Sequence, residues 1–319
     1  MKPNIFVTRM LPEPSMTKLK TYFNVTINPD DRVLDKHEII EAIPNQDALL
    51  CLLTDTIDNT VIDAGKKLKV ISNYAVGFNN IDIKTATARH IPVCITPGIL
   101  TNATADLTWA LILAIARRVV ESDKFTREGL FNGWAPNLFL GGDVTGKTLG
   151  IVGMGRIGQA VAKRAMGFEM KVVYTSRTDK KISNAQFVSL NELLEVSDFV
   201  SLHTPLTSET KHLIDTDQFH RMKKTAYLIN TTRGPVVNEL ALLDALKTNI
   251  IAGAGLDVYE KEPLITPGLL ALDNVVLLPH IGSATVETRT KMAILAAENA
   301  IAILQGQKPH AIANPEVLT

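Results

Sequence analysis

Neither sign of charge is in excess in this chain: 33 Lys and Arg stand against 33 Asp and Glu. Without a field of one sign it has no electrostatic hold on nucleic acid or an acidic membrane, and neither partner is expected. Cysteine is nearly absent. Cys51 and Cys94 each sit inside an apolar run, so two buried thiols of a reducing compartment are expected rather than a disulfide. No CxxC and no His/Cys cluster with metal-ligand spacing occurs, so no metal is expected. Long apolar runs are missing too. LTWALILAIA at 107–116, the longest with helical character, is well short of the roughly 20 residues a bilayer span needs. The apolar stretch in the N-terminal MKPNIFVTRM is too short for a signal peptide and is broken at Arg9. A cytoplasmic protein is expected.

What remains is 319 residues, 46% of them hydrophobic, enough for about two domains. Short runs rich in Val and Ile read as strands: 4–9, 48–54, 70–76 and 92–96, then 148–155, 171–176, 198–204, 226–232, 252–258 and 274–280. Between them lie stretches of helical pattern, such as 157–168, 189–196, 237–247 and 285–304. Near-continuous apolar strands alternating with helices predict parallel sheets covered on both faces. Ten strands are many for one sheet, so two α/β units are expected. The break falls in TPGILTNATADLT at 96–108, where Pro97-Gly98 stops a strand and a long helix begins near Thr101. The helix after Ser283 is expected to return to the first unit. No internal repeat or low-complexity tract is present.

The stretch GGDVTGKTLGIVGMGRIG at 141–158 carries two phosphate-binding patterns. Gly141 to Thr148 fits a P-loop, which requires a helix directly after its Lys-Thr. After Lys147-Thr148 comes LGIVG, a poor helix and a good buried strand, so Gly146-Lys147 reads as the turn into that strand. The second pattern, G-x-G-x-x-G at Gly153, Gly155 and Gly158, lies between that strand and an amphipathic helix. Gly153 permits the tight turn, Gly155 lets the backbone approach a pyrophosphate, and Gly158 lets helix and strand pack closely. The N–H groups of Arg156 and Ile157 would face the phosphates.

An NAD site usually places an acid about 20 residues on, against the ribose 2′-hydroxyl. Here Ser176, Arg177 and Thr178 stand at that place, followed by Lys180 and Lys181. A cation where a carboxylate is usual favours NADP(H), with NAD(H) as the other possibility. Asp179 is the counter-reading, since a shift of the turn would bring it to the ribose.

The segments YAVGFNNID (74–82), TPGILTNATADLT (96–108), GMGRIG (153–158), SLHTPLT (201–207), INTTRGPVV (229–237), AGLDVYEKEP (254–263) and LLPHIGSAT (277–285) together resemble the D-isomer-specific 2-hydroxyacid dehydrogenases over nearly the whole length. YTSR at 174–177 and LPHIGSAT are most similar to the glyoxylate/hydroxypyruvate reductase branch. The resemblance implies a Rossmann-type doubly wound parallel-sheet cofactor domain, 99–286, inserted into a smaller flavodoxin-like substrate domain, 1–98 plus 287–319. It implies a homodimer, with the long helix after Thr101 at the interface.

It also implies three catalytic residues. Arg233 would grip the carboxylate of a 2-oxo acid with two parallel hydrogen bonds and polarise the adjacent carbonyl. His280 would supply the proton that the carbonyl oxygen gains. Glu262 would orient His280 and favour its charged form; its match to the family's Glu-Pro selects it over Glu260. Val76 and Gly77 would offer backbone N–H groups to the substrate carboxylate. Thr104, His203, Pro205, Thr231 and Asp257 would line the cofactor, Asp257 near the nicotinamide amide. Trp134 is either a residue reaching across a dimer or simple packing, and Trp109 is expected to be buried.

LLCLLTDTI at 49–57 holds no Lys or Arg. A phosphorylated acid would need a cation there, so a small unphosphorylated 2-oxo acid such as glyoxylate or hydroxypyruvate is the expected substrate. Two other readings stay open: an NAD-linked dehydrogenase of another D-2-hydroxy acid, of the 2-ketogluconate reductase type, and a nucleotide-sensing corepressor on the same fold.

Overall fold

The structure is a computed structural model that describes residues 1–318. The strands, in chain order, are β1 (Asn4–Val7), β2 (Asn24–Ile27), β3 (Ala48–Cys51), β4 (Val70–Asn73), β5 (Val93–Cys94), β6 (Thr148–Val152), β7 (Lys171–Thr175), β8 (Gln186–Phe187), β9 (Phe199–Leu202), β10 (Tyr227–Asn230), β11 (Gly253–Leu256) and β12 (Val275–Leu277). The helices are α1 (Glu13–Tyr22), α2 (Lys36–Ala42), α3 (Asn59–Ala64), α4 (Ile83–Ala88), α5 (Thr101–Ala116), α6 (Val119–Arg127), α7 (Arg156–Ala165), α8 (Leu190–Val196), α9 (Thr216–Arg221), α10 (Glu239–Lys247) and α11 (Val286–Leu304). They form two units: Met1–Leu100 with Ser283–Thr319, and Thr101–Gly282, the second inserted into the chain of the first.

The first unit carries a five-stranded parallel sheet in the order β2-β1-β3-β4-β5, the flavodoxin-like order. Successive side chains alternate between its faces. Ile5, Val7 and Leu50 pack with Met16 and Leu19 of α1 and with Ala293, Ala296 and Ala300 of α11. Phe6, Leu49 and Cys51 pack on the other face with Ile39, Val61 and Ile62. The small residues of α11 let it lie close over the sheet, where Ser72 Oγ donates to the Ala296 carbonyl at 2.8 Å and Tyr74 Oη to that of Arg289 at 2.8 Å. Cys51 and Cys94 are buried free thiols. Burial pushes Cys51 well above its ordinary pKa and Cys94 up to about 12, so both are inert.

The second unit carries a seven-stranded parallel sheet, β12-β11-β10-β9-β6-β7-β8. Counted from β6, this is the Rossmann order with a seventh strand added beyond the sixth. One face packs Leu149, Ile151, Tyr174 and Ile229 against α5 and α7. There Trp109 is buried, stacked on Phe168 at 4.6 Å, with its indole N–H donating to Val161. The other face packs Val200, Leu202, Leu228 and Leu256 against α8, α9 and α10. Lys147 precedes β6 and no helix comes after it until Arg156, so the P-loop pattern has no helix to serve.

Among the described residues twelve strands form where ten are expected. β2 is an edge strand that alternates exposed and half-buried residues, and β8 is two exposed residues. Neither has the buried run by which the others are read.

Candidate active site

The glycine turn joins β6 to α7. Gly153 has φ +101°, a value that a side chain disfavours, and a Cβ there would stand 2.7 Å from the His203 carbonyl. A Cβ at Gly158 would strike the Gly153 carbonyl and stand 3.2 Å from the Ile151 side chain. Gly155 is different. It caps α7, and a Cβ on it would meet nothing within 4 Å. No side chain caps α7, so its first N–H groups, at Arg156, Ile157 and Gly158, start the helix without a side-chain acceptor. Two glycines build the turn, and the third keeps space open at the positive end of a helix.

The chain leaves β7 at the turn that carries Ser176, Arg177 and Thr178. Ser176 Oγ donates to the Thr178 carbonyl at 2.6 Å, and Arg177 is exposed. Asp179 accepts hydrogen bonds from the Tyr174 hydroxyl and, at 2.8 Å, from the Lys181 N–H. The hydrogen bond from Tyr174, then that from Lys181, hold its carboxyl below the ordinary aspartate range.

His203, Pro205, Thr231 and Asp257 follow the carboxyl ends of β9, β10 and β11, where open α/β sheets bind ligands, and Thr104 lies in the first turn of α5. His203, just past β9, hydrogen-bonds Ser201 Oγ through Nε2 at 2.8 Å. Burial drops its pKa to about 3, so the imidazole is neutral. Thr108 Oγ1 donates to the Thr104 carbonyl at 2.9 Å and lies 3.1 Å from Thr231 Oγ1, so Thr231 is the donor of that pair. Thr104 Oγ1 donates to the Gly282 carbonyl at 3.1 Å. Asp257 accepts the N–H groups of Ile281 at 2.7 Å and Gly282 at 2.8 Å. Burial raises its pKa, with the two N–H donors and the neighbouring His280 pulling the other way. Pro205 is exposed, and its carbonyl accepts from Thr210 Oγ1 at 2.7 Å.

Arg233, Glu262 and His280 stand within one electrostatic neighbourhood. His280 Nδ1 and Glu262 Oε2 are 2.8 Å apart. Glu262 Oε1 accepts the Tyr259 N–H at 3.1 Å. Burial alone would raise the Glu262 carboxyl. The hydrogen bond and charge of His280, the Tyr259 N–H and the Arg233 charge outweigh it and leave the pKa below the ordinary glutamate value. Arg233 opens the short turn Gly234–Val236, and its Nη1 donates to the Thr232 carbonyl at 2.7 Å. Burial lowers its pKa, and the Glu262 charge works against that. An Nδ1–H turned to a carboxylate leaves Nε2 as the nitrogen that exchanges a proton. Glu260 faces elsewhere: its carboxylate meets His212 Nε2 at 2.8 Å and the Glu239 N–H at 3.3 Å.

His280 itself has φ +55°, rare for a residue with a Cβ, and the loop after β11 holds it on both sides. Tyr259 Oη donates to the Leu278 carbonyl at 2.9 Å, and Asp257 takes the two N–H groups directly after His280. The role of Tyr259 is invisible in the sequence, because one residue type between Asp257 and Glu262 announces neither bond.

Val76 and Gly77 lie in the first unit, on the loop after β4. Asn73, fully buried, reaches the Gly77 carbonyl with its Nδ2 at 2.9 Å and fixes that loop. Asp55, past β3, is buried under Thr8 Oγ1 at 2.5 Å and the Leu52 N–H at 2.7 Å. Trp134 is 85% exposed, so the expectation of simple packing does not hold within this chain. Among the described residues no three His, Cys, Asp or Glu converge to hold a metal, and no helix is long and apolar enough to cross a membrane.

Residues 109–282 match the family model of the D-isomer specific 2-hydroxyacid dehydrogenase, NAD binding domain. Over its full length the chain is 52% identical to a glyoxylate reductase of Korarchaeum cryptofilum, covering 98% of that protein. It is 49% identical to a glyoxylate reductase of Thermococcus kodakarensis, with 100% of this chain and 98% of the other aligned. Among solved structures, a protein of Thermus thermophilus superposes with a TM-score of 0.92 at 47% identity, covering 97% of this chain and 99% of that one. An NADPH-dependent glyoxylate/hydroxypyruvate reductase of Sinorhizobium meliloti, in complex with NADP and malonate, superposes with a TM-score of 0.90 at 29% identity, covering 98% and 97%.

Proposed function

Because the chain belongs to the D-isomer specific 2-hydroxyacid dehydrogenase family, we propose that it reduces a small 2-oxo acid, glyoxylate or hydroxypyruvate, to the D-2-hydroxy acid, using NADP(H) in preference to NAD(H). The observation that carries the reading is the carboxylate of Glu262, 2.8 Å from the His280 ring and under the charge of Arg233. A corepressor needs no such proton relay.

The residues present fit a dinucleotide. The open side of Gly155 and the N–H groups at the start of α7 suit a pyrophosphate. Arg177 suits a 2′-phosphate, and Asp179 is engaged by Tyr174 instead. The bound nicotinamide supplies the hydride. Arg233 holds the substrate carboxylate and draws electron density from the adjacent carbonyl. Nε2 of His280 delivers a proton to the carbonyl oxygen, while Nδ1–H stays on Glu262 and keeps the ring aimed. His203, neutral at working pH, adds no competing charge beside the glycine turn. Val76 and Gly77 would offer N–H groups to the substrate carboxylate.

Mixing the protein with NADPH and glyoxylate should consume the reduced-nicotinamide absorbance, with a higher kcat/KM for NADPH than for NADH. Cofactor binding without turnover of any 2-oxo acid would defeat the reading in favour of a nucleotide sensor.

The working form we propose is a homodimer. The long helix after Thr101, expected at the interface, buries Trp109, Leu111, Ile112 and Ile115 within its own chain. Val120, Leu130, Phe131, Trp134, Leu138 and Leu140, by contrast, are exposed apolar side chains on and after α6, and these are the surface we assign to the second copy. Sedimentation should give twice the chain mass of 34.8 kDa; the single mass would remove the second copy.

A further inference from the structure

The Tyr174 ring is wholly buried on β7, packed against Phe187 with centroids 5.5 Å apart. The core therefore fixes where its hydroxyl meets the turn beyond the strand. That hydroxyl donates to Asp179 Oδ1 and accepts the Lys180 N–H at 3.0 Å. The same Oδ1 takes the Lys181 N–H at 2.8 Å, and Lys181 adopts φ +50°. The turn is thus curled around one carboxylate tied to one phenol. Asp179 is an exposed anion two residues from Arg177, the wrong charge to leave free beside a 2′-phosphate.

We propose that Tyr174 is a specificity-determining residue: its hydroxyl holds the Asp179 carboxylate back in the turn and so leaves Arg177 open to a dinucleotide bearing a 2′-phosphate. This rests on the reading that Arg177 meets that phosphate. A released carboxylate acts on both nucleotides in opposite senses. It repels a phosphate that carries nearly two negative charges. It also accepts from a ribose 2′-hydroxyl, the task an acid performs after this strand in NAD sites. The lock removes the acid from both tasks at once.

The test is calorimetric binding of NADP⁺ and of NAD⁺ to the full chain, without substrate. Tyr174→Phe keeps the ring and loses only the hydroxyl. It should weaken NADP⁺ about tenfold, the worth of a like-charge contact a few ångströms long in a wet turn, and leave NAD⁺ within about twofold or tighten it. Adding Asp179→Asn to Tyr174→Phe should return NADP⁺ to within about threefold of the parent. Asp179→Asn alone keeps an acceptor for the phenol and should change NADP⁺ binding by less than about threefold.

Equal weakening of both nucleotides by Tyr174→Phe overturns the proposal, because a merely structural bond would shift both. So does a double variant that recovers nothing, or a gain of about tenfold from Asp179→Asn alone, which would mean that the carboxylate already reaches the phosphate. Arg177→Ala separates the proposal from its premise: it should cost NADP⁺ far more than NAD⁺, and equal losses would sink the assignment of Arg177 itself.

Discussion

His280→Asn should lower kcat for glyoxylate reduction by about 10²–10⁴, the usual worth of a general acid. Asparagine is the informative replacement for two reasons. Position 280 has φ +55°, a region that asparagine enters more readily than most residues, so the backbone between Leu278 and Ile281 is kept. Its amide can still donate to Glu262, as Nδ1 of His280 does at 2.8 Å. What is lost is the proton at Nε2. The dissociation constant for NADPH should therefore be nearly unchanged. Steady-state kinetics, with calorimetry of cofactor binding, checks both. A near-normal rate would remove His280 from the chemistry. A lost cofactor affinity would show that it acts on binding.

Much of this architecture is legible in the residues because backbone demands leave marks in composition. Leu149 to Val152 form a buried strand and read as one. Gly153, Gly155 and Gly158 read as a phosphate turn because each meets a separate demand: positive φ with close approach to His203, open space, and contact with the Gly153 carbonyl. β2 is not legible, since Asn24 and Thr26 face water and the strand pairs on one side only. Side-chain partnerships are harder still. Glu260 and Glu262 are alike in sequence, and only resemblance separates them there. The fold separates them by geometry, turning one to His212 and the other to His280 across a gap of 18 positions. Tyr259, which spans from Glu262 to the strand end before His280, and Tyr174, which ties down Asp179, look like ordinary core aromatics until the loops above them are placed. Trp134 errs the other way: a lone loop tryptophan reads as packing, yet here it stands 85% exposed in the chain.

Arg233→Ala should lower kcat/KM by about 10²–10⁴, since two hydrogen bonds from a guanidinium to a carboxylate are worth about 1.5–3 kcal/mol each and about 1.4 kcal/mol is tenfold. Arg233→Lys keeps the charge and one bond but not the planar fork, and should lose about 10–10²-fold. The order Arg, Lys, Ala separates bidentate recognition from simple charge attraction, under which lysine would perform almost as well as arginine. The loss should not come from unfolding. Burial works against the charge of Arg233 while the charge of Glu262 favours it, so the two effects on the fold oppose one another and the substitution should change Tm little. Free guanidinium added to Arg233→Ala should restore part of the rate. A Tm lowered by many degrees, with no rescue, would make Arg233 a residue of the fold rather than of the substrate.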